Sequence, residues 1–288
     1  MLTFLIKTSN NLFIGILILF LSFIVQAADY VDAGNVSVSW SLNKSSNQAT
    51  LTNLTFRFNI NEETLHYDGV YFAQQFHFYN SNNVNSLGYL GLQPRPNKNG
   101  KNYLRAVFSS FIKGTKTNDP NCSLGADGGD GASCGVVFPA IYGHTYEITV
   151  FKTGSNTWNG EALDTTTNQI THIGSWSLPD NIGNLLPSGE GFAEYYAYYK
   201  PGYPQFVVPN CSLLAKINVL YGPVTTTDFG GDIGSITNPY EYNSNECKGT
   251  SSGFNSQTKQ MDVTMPNGNV LSADGVNIKR GFVSSLTY

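Results

Sequence analysis

The sequence predicts an all-β protein: an antiparallel two-sheet β-sandwich of jelly-roll type, stapled by disulfides and following a cleaved signal peptide. Three observations carry that expectation. Apolar and polar residues alternate at period two along one segment after another. No window longer than two turns outside the leader carries a helical stripe, and four cysteines remain once the leader is removed.

The leader comes first in the chain. Lys7 precedes the 14-residue run Leu12 to Val25, and Val25-Gln26-Ala27 then places small residues where a signal peptidase reads them. As a helix that run would span about 21 Å, short of a hydrocarbon core of about 30 Å, so cleavage after Ala27 is expected instead of a retained anchor. No transmembrane segment is expected in the mature chain, which is placed outside the cytoplasm as a secreted, extracellular or periplasmic protein. Residues 28–224 are read as the sandwich. Residues 225–288 are read as a polar, disulfide-pinned excursion followed by C-terminal strands of the same domain.

Removing the leader leaves 15 basic and 20 acidic side chains, which speaks against a nucleic-acid footprint. Charged residues make up only 12% of the chain, so its surface must be built from the abundant Asn, Ser, Thr and Gly instead of ion pairs. Cys122, Cys134, Cys211 and Cys247 form an even set in an oxidising compartment. Pairing Cys122 with Cys134 and Cys211 with Cys247 closes two loops rich in Gly, Asn and Ser. No pair has the two-residue spacing of a zinc knuckle.

Strand candidates begin with Val36, Val38, Trp40 and Leu42, then Leu54 to Ile60 and Val70 to Phe78. Further candidates are 87–93, 103–112, 146–150, 170–178, 192–199, 213–221, 260–265 and 276–283. Asn99-Gly100, Asn159-Gly160, Asn267-Gly268 and Asp274-Gly275 are hairpin-type signals.

Candidate chemistry is sparse. Gly249-Thr250-Ser251-Ser252-Gly253 spells a nucleophile elbow but lacks the preceding strand, the following helix and a later histidine. Asp228-Phe229-Gly230 spells the kinase magnesium tripeptide without the other kinase signatures. Glu190 and Glu194 share a strand face about 13 Å apart, too far to form a glycosidase pair by themselves, though either could act with an acid from another strand such as Glu147 or Glu161. Asp119, Asp127 and Asp130, in a glycine-rich loop, are candidate oxygen ligands for calcium, the one cofactor the sequence raises. Tyr195, Tyr196 and Tyr198, with Trp158 and Trp176, are candidate ligand-stacking aromatics, against the plainer role of core packing. The four histidines show no ligand spacing. Asn35 and Asn53 are N-glycosylation acceptors.

Gly88-Tyr89-Leu90-Gly91-Leu92-Gln93, Phe108-Ser109-Ser110-Phe111, the glycine-rich loop before Phe138, Gly143-His144-Thr145-Tyr146 and Ile173-Gly174-Ser175-Trp176 follow one another in order. Together they resemble a family of secreted bacterial domains known as the domain of unknown function 3472, over residues 65 to 222. The resemblance implies an extracellular β-sandwich and carries over no catalytic residue. The resemblance leaves function open; the neutral polar surface, the clustered tyrosines and the sandwich scaffold make a secreted, lectin-like binding module for cell-surface or cell-wall glycans the leading functional expectation. The alternatives are a secreted polysaccharide hydrolase or lyase, and a surface protein that binds other proteins.

Overall fold

A computed structural model describes residues 33–43, 51–80, 86–196, 210–242 and 246–284; the expected signal peptide lies outside them. Alternation decides the local structure. In Tyr71–Asn80, Phe72, Phe76 and Phe78 turn to one side and are buried, because successive side chains of a strand point to opposite faces. Sixteen strands form on this basis among the described residues. They are β1 (Asn35–Leu42), β2 (Asn53–Ile60), β3 (Tyr71–Asn80), β4 (Leu87–Lys98), β5 (Lys101–Ser110), β6 (Cys122–Leu124), β7 (Ala132–Pro139) and β8 (Thr145–Lys152). The chain continues with β9 (Thr157–Asp164), β10 (Gln169–Ser177), β11 (Ile182–Leu185), β12 (Ser188–Glu194), β13 (Ile217–Thr226), β14 (Asp232–Glu241), β15 (Asn255–Thr264) and β16 (Val270–Arg280). Among the described residues there is no α-helix.

The all-β class holds, but the sandwich of two separate sheets does not describe the molecule. The strands form one antiparallel sheet in the order β10-β9-β8-β2-β13-β14-β1-β12-β3-β4-β5-β7-β6, with β15 and β16 branching from β13 and β11 from β3. Twist curls this sheet until its two ends nearly meet as a barrel. Lys116 bridges Ser177 there, and the Asn121 side chain donates to the His172 carbonyl at 3.3 Å. The two halves enclose an aromatic core. Trp40 meets Phe56 at 5.2 Å, Phe78 meets Trp158 at 5.0 Å, and Phe108 stacks on Trp176 at 4.5 Å between ring centroids.

Two of the four hairpin signals are hairpin turns. Asn99 and Gly100, at φ 52° and 70°, close β4 onto β5, and Asn267-Gly268 lies in the turn between β15 and β16. The other two sit inside strands. Gly160 lies in β9 where a Cβ would come within 2.7 Å of the Phe108 ring, and Gly275 lies in β16 within 2.6 Å of the Tyr221 carbonyl oxygen. Both are glycines because another group approaches closely.

The disulfides are Cys122–Cys134, joining β6 to β7, and Cys211–Cys247. The segment from residue 225 is not an excursion outside the sheet. Its middle is β14, hydrogen-bonded between β1 and β13, with Ile233 and Ile236 buried. Its polar composition hid this, because Asp232 and Glu241 are themselves buried and hydrogen-bonded.

Candidate functional site

The sheet face turned away from the aromatic core carries a polar row running across five strands. Asn35 of β1 stands opposite Glu194 of β12, and Glu194 stands opposite Tyr71 of β3. One step along the β3–β4 register Tyr71 faces Gln93, which in turn faces Arg105 of β5. Beside it runs a second row, Ser37, Phe192, Ala73, Gly91, Val107 and Gly135, in which only Phe192 is larger than valine. Small side chains flanked by long polar ones leave a trough. It has a volume of about 630 Å³ and is walled by Asp68, Arg95, Phe111, Asp127, Tyr196 and Tyr242.

Tyr71 sits on its floor. Its ring packs edge-on against Tyr89 at 5.3 Å and Phe192 at 5.7 Å, and it is 3% exposed. The Tyr71 hydroxyl makes no hydrogen bond among the described residues, although it is buried and lies among charged groups. Burial first, then Tyr89 and the carboxylates of Glu194 and Asp127, push its pKa well above the usual tyrosine value, against the opposing pull of Arg105. Tyr71 therefore stays protonated and is a hydrogen-bond donor at any working pH.

Gln93 is buried and its amide is held in one orientation. Arg95 pairs with Asp68 at 3.1 Å, donates to the Pro94 carbonyl at 2.8 Å and donates to Gln93 Oε1. With Oε1 occupied, Nε2 is the end of the amide left to donate to another group. Asp127 reaches the site from the loop closed by Cys122–Cys134, where it accepts from the Tyr89 hydroxyl at 3.3 Å on each carboxylate oxygen. Asp127 itself is left-handed at φ 48°. No histidine, cysteine or lysine is among the described lining residues, so a Ser-His or Cys-His nucleophile is not built here.

Several candidate residues lie elsewhere. Tyr195 is 0% exposed and its hydroxyl donates to the Ala215 carbonyl, while Trp158 and Trp176 are each 1% exposed within the core. None of these three can stack on a ligand. Tyr196 does line the trough, accepting from the Gly69 backbone N–H at 3.1 Å; Tyr198 lies outside the described residues. Asp119, Asp127 and Asp130 are not gathered into a calcium site. Asp119 accepts from His172 at 2.7 Å and Ser175 at 3.2 Å, Asp127 from Tyr89, and Asp130 is exposed with its backbone carbonyl bonded to Ala126 N–H. No group of three or more potential ligands occurs among the described residues. Of the acids, Glu190 shares a face with Glu194 but lies 3.5 Å from His77, Glu147 pairs with Arg57 at 2.7 Å, and Glu161 sits on β9 opposite His172. The residues unseen in sequence are Tyr71, Gln93 and Arg105. Their signal was present as polar positions in the outward phase of strands whose inward phase is Phe72, Leu92 and Ala106.

No family model and no curated protein matches the chain. Solved structures do resemble it loosely. A scytalido-glutamic peptidase with a peptide-based transition-state analogue has 11% identity and a TM-score of 0.40, covering 87% of this chain and 98% of that one. SCP-B, a member of the eqolisin family of peptidases solved with the tripeptide Ala-Ile-His, has 10% identity, a TM-score of 0.40 and the same coverage. At that TM-score the superposition assigns no residue of this chain a role. The glycan-binding module expected from the sequence is set aside: three of the five aromatics meant to form its platform are core residues.

Proposed function

We propose that the protein is a secreted hydrolase that lays an extended polymer across the trough and cleaves an acyl bond above Tyr71, with Glu194 as general acid–base. The observation that carries this is the row Glu194–Tyr71–Gln93: a carboxylate and an oriented amide donor two strands apart, with an unpartnered phenol between them. Adjacent strands lie about 4.8 Å apart, so the Glu194 and Gln93 Cα atoms are about 10 Å from each other, room for a scissile amide between their side chains. Glu194 removes a proton from a water, which attacks the carbonyl carbon. The Gln93 Nε2 and Tyr71 hydroxyl protons point at the oxygen that gains charge, and such fixed donors stabilise the oxyanion most where water is excluded. Glu194 then returns its proton to the leaving nitrogen as the C–N bond breaks. Two disulfides fit an oxidising compartment, and no helix of the described residues is long and apolar enough to cross a membrane.

A second reading, cleavage of a glycosidic bond, is favoured by one specific observation: Asp127 as well as Glu194 lines the trough around Tyr71, so two carboxylates share one groove. The test is a panel of denatured proteins, peptide libraries and polysaccharides from pH 3 to 8. The acyl reading expects peptide cleavage, with Glu194→Gln losing about 10²-fold or more and Gln93→Ala about 10²-fold in kcat. Polysaccharide cleavage that disappears in both Glu194→Gln and Asp127→Asn would select the second reading. Cleavage indifferent to Glu194→Gln would reject both.

A further inference from the structure

Beyond Gln93 the polar row ends in a cation with no ion pair among the described residues. Arg105 is half-buried on β5, and among the described residues it has no ion pair and no hydrogen bond. The other arginines described on these strands are engaged. Arg57 pairs with Glu147, Arg95 with Asp68 and Arg280 with Glu241. Nor is Arg105 free to swing into solvent without losing its seat. Its guanidinium lies over Gly135 of β7, so close that a Cβ there would sit 2.5 Å from Nη2 and 2.8 Å from Nε. The glycine makes room for the planar group, and Arg105 lines the trough. A partly desolvated guanidinium with open donors calls for an anion, and carboxylate geometry matches its fork. The neighbouring Tyr71 hydroxyl is a second unpartnered donor turned to the same space.

From this geometry we infer that the substrate is acidic: Arg105 is the specificity subsite for a carboxylate side chain lying on the β5 side of the bond that is cut. The inference rests on the hydrolase reading above and gives it a direction. Glu194 and Arg105 are three strands apart, about 14 Å between Cα atoms. The Arg105 guanidinium lies over Gly135, on the side of β5 away from Glu194, so the groove between the two groups spans several extended residues of about 3.4 Å each. The acid therefore lies on the β5 side of the scissile bond. On the other side, towards β14, the groove offers the exposed ring pair Tyr240 and Tyr242, 5.8 Å apart, which presents no charge. The two ends of the trough thus ask for different chemistry.

The test separates binding from cleavage. Acetylated, amidated hexapeptides carrying Glu at one position, and the same peptides with Gln, are titrated calorimetrically into the full-length mature protein bearing Glu194→Gln, which is expected to bind without turnover. The Glu peptide should bind about tenfold more tightly, with the difference shrinking as salt is raised. Adding Arg105→Gln should bring the two peptides to equal affinity, and Arg105→Lys should restore part of the preference. Circular dichroism confirms that each variant is folded. Equal binding of Glu and Gln peptides, no binding of either, or a preference that survives Arg105→Gln overturns the inference whether or not the enzyme cleaves peptides. Tighter binding of polygalacturonate than of its methyl ester, without any peptide preference, would also overturn it in favour of a uronate polymer. Failure of the hydrolase reading shows separately, as intact peptides with Glu194 present.

Discussion

Arg105 and Gly135 show how a single residue sets the chemistry of this groove. The cation is useful because no described residue pairs with it, and it stays in place because Gly135, over which its guanidinium lies, has no side chain. Gly135→Ala should displace the guanidinium while costing little stability, since the clash falls on the far end of a flexible side chain. The measurable result is loss of the preference for Glu over Gln peptides with a melting temperature within a few degrees of wild type. Gly91 is the contrasting case. A Cβ there would lie 2.0 Å from the Phe72 carbonyl oxygen, a backbone atom that cannot swing aside. Gly91→Ala should destabilise by about 1–3 kcal/mol in urea unfolding, as overpacking does, and a neutral result would mean that β3 and β4 can separate locally.

Among elements, the segment from Asp119 to β7, closed by the first disulfide, has two attachments. Asp127 reaches the Tyr89 hydroxyl at the trough, and Asp119 ties the start of the segment to β10 through His172 and Ser175. Burial raises the pKa of Asp119, but the hydrogen bonds from His172, the Asn121 backbone and Ser175 outweigh it and hold the carboxyl below its usual value. A depressed folded pKa means that this contribution is present above the unfolded pKa of about 3.9 and is lost as pH falls through the folded value. Melting temperature recorded from pH 6 to 2.5 should therefore drop on the acid side, and Asp119→Asn should flatten that part of the curve. A parallel curve for the variant would show that the bond to His172 contributes nothing to the pH dependence.

For the molecule as a whole, one buried knot ties together segments distant in sequence. Arg280 at the end of β16 and Glu241 at the end of β14 pair at 2.7 Å with almost no exposure. The same guanidinium donates to the carbonyls of Ala33, Gly34 and Cys247, and Glu241 also accepts from Ser252 and from the Gly249 N–H. The start of β1, the second disulfide and the C-terminal strands are thus fastened at one point. Removing one partner leaves a buried charge alone, so Glu241→Ala should cost about 3–5 kcal/mol in chemical denaturation, far more than an exposed pair would. A loss under 1 kcal/mol would show that water enters to solvate Arg280.

Period-two alternation determined the strands around Trp40, Phe56 and Phe76, and the even cysteine count with its loop composition determined both pairings. These are local properties, carried by neighbours in the chain. The short β6 and β11 escaped notice, as did β7, β9 and β14, which lack an apolar period because Gly135, Gly160 and the buried Asp232 meet partners from other strands. Closure of one sheet instead of stacking of two is likewise invisible locally, since it depends on the summed twist of a dozen strand pairs. The groove follows the same logic. Glu194 stood out as an acid in the sequence, but its neighbours Tyr71, Gln93 and Arg105 come from residues up to 123 positions away. Register alone brings them into one row. Which tyrosines are core and which face the trough was decided there too, because a strand has two faces and only the folded sheet says which one meets water.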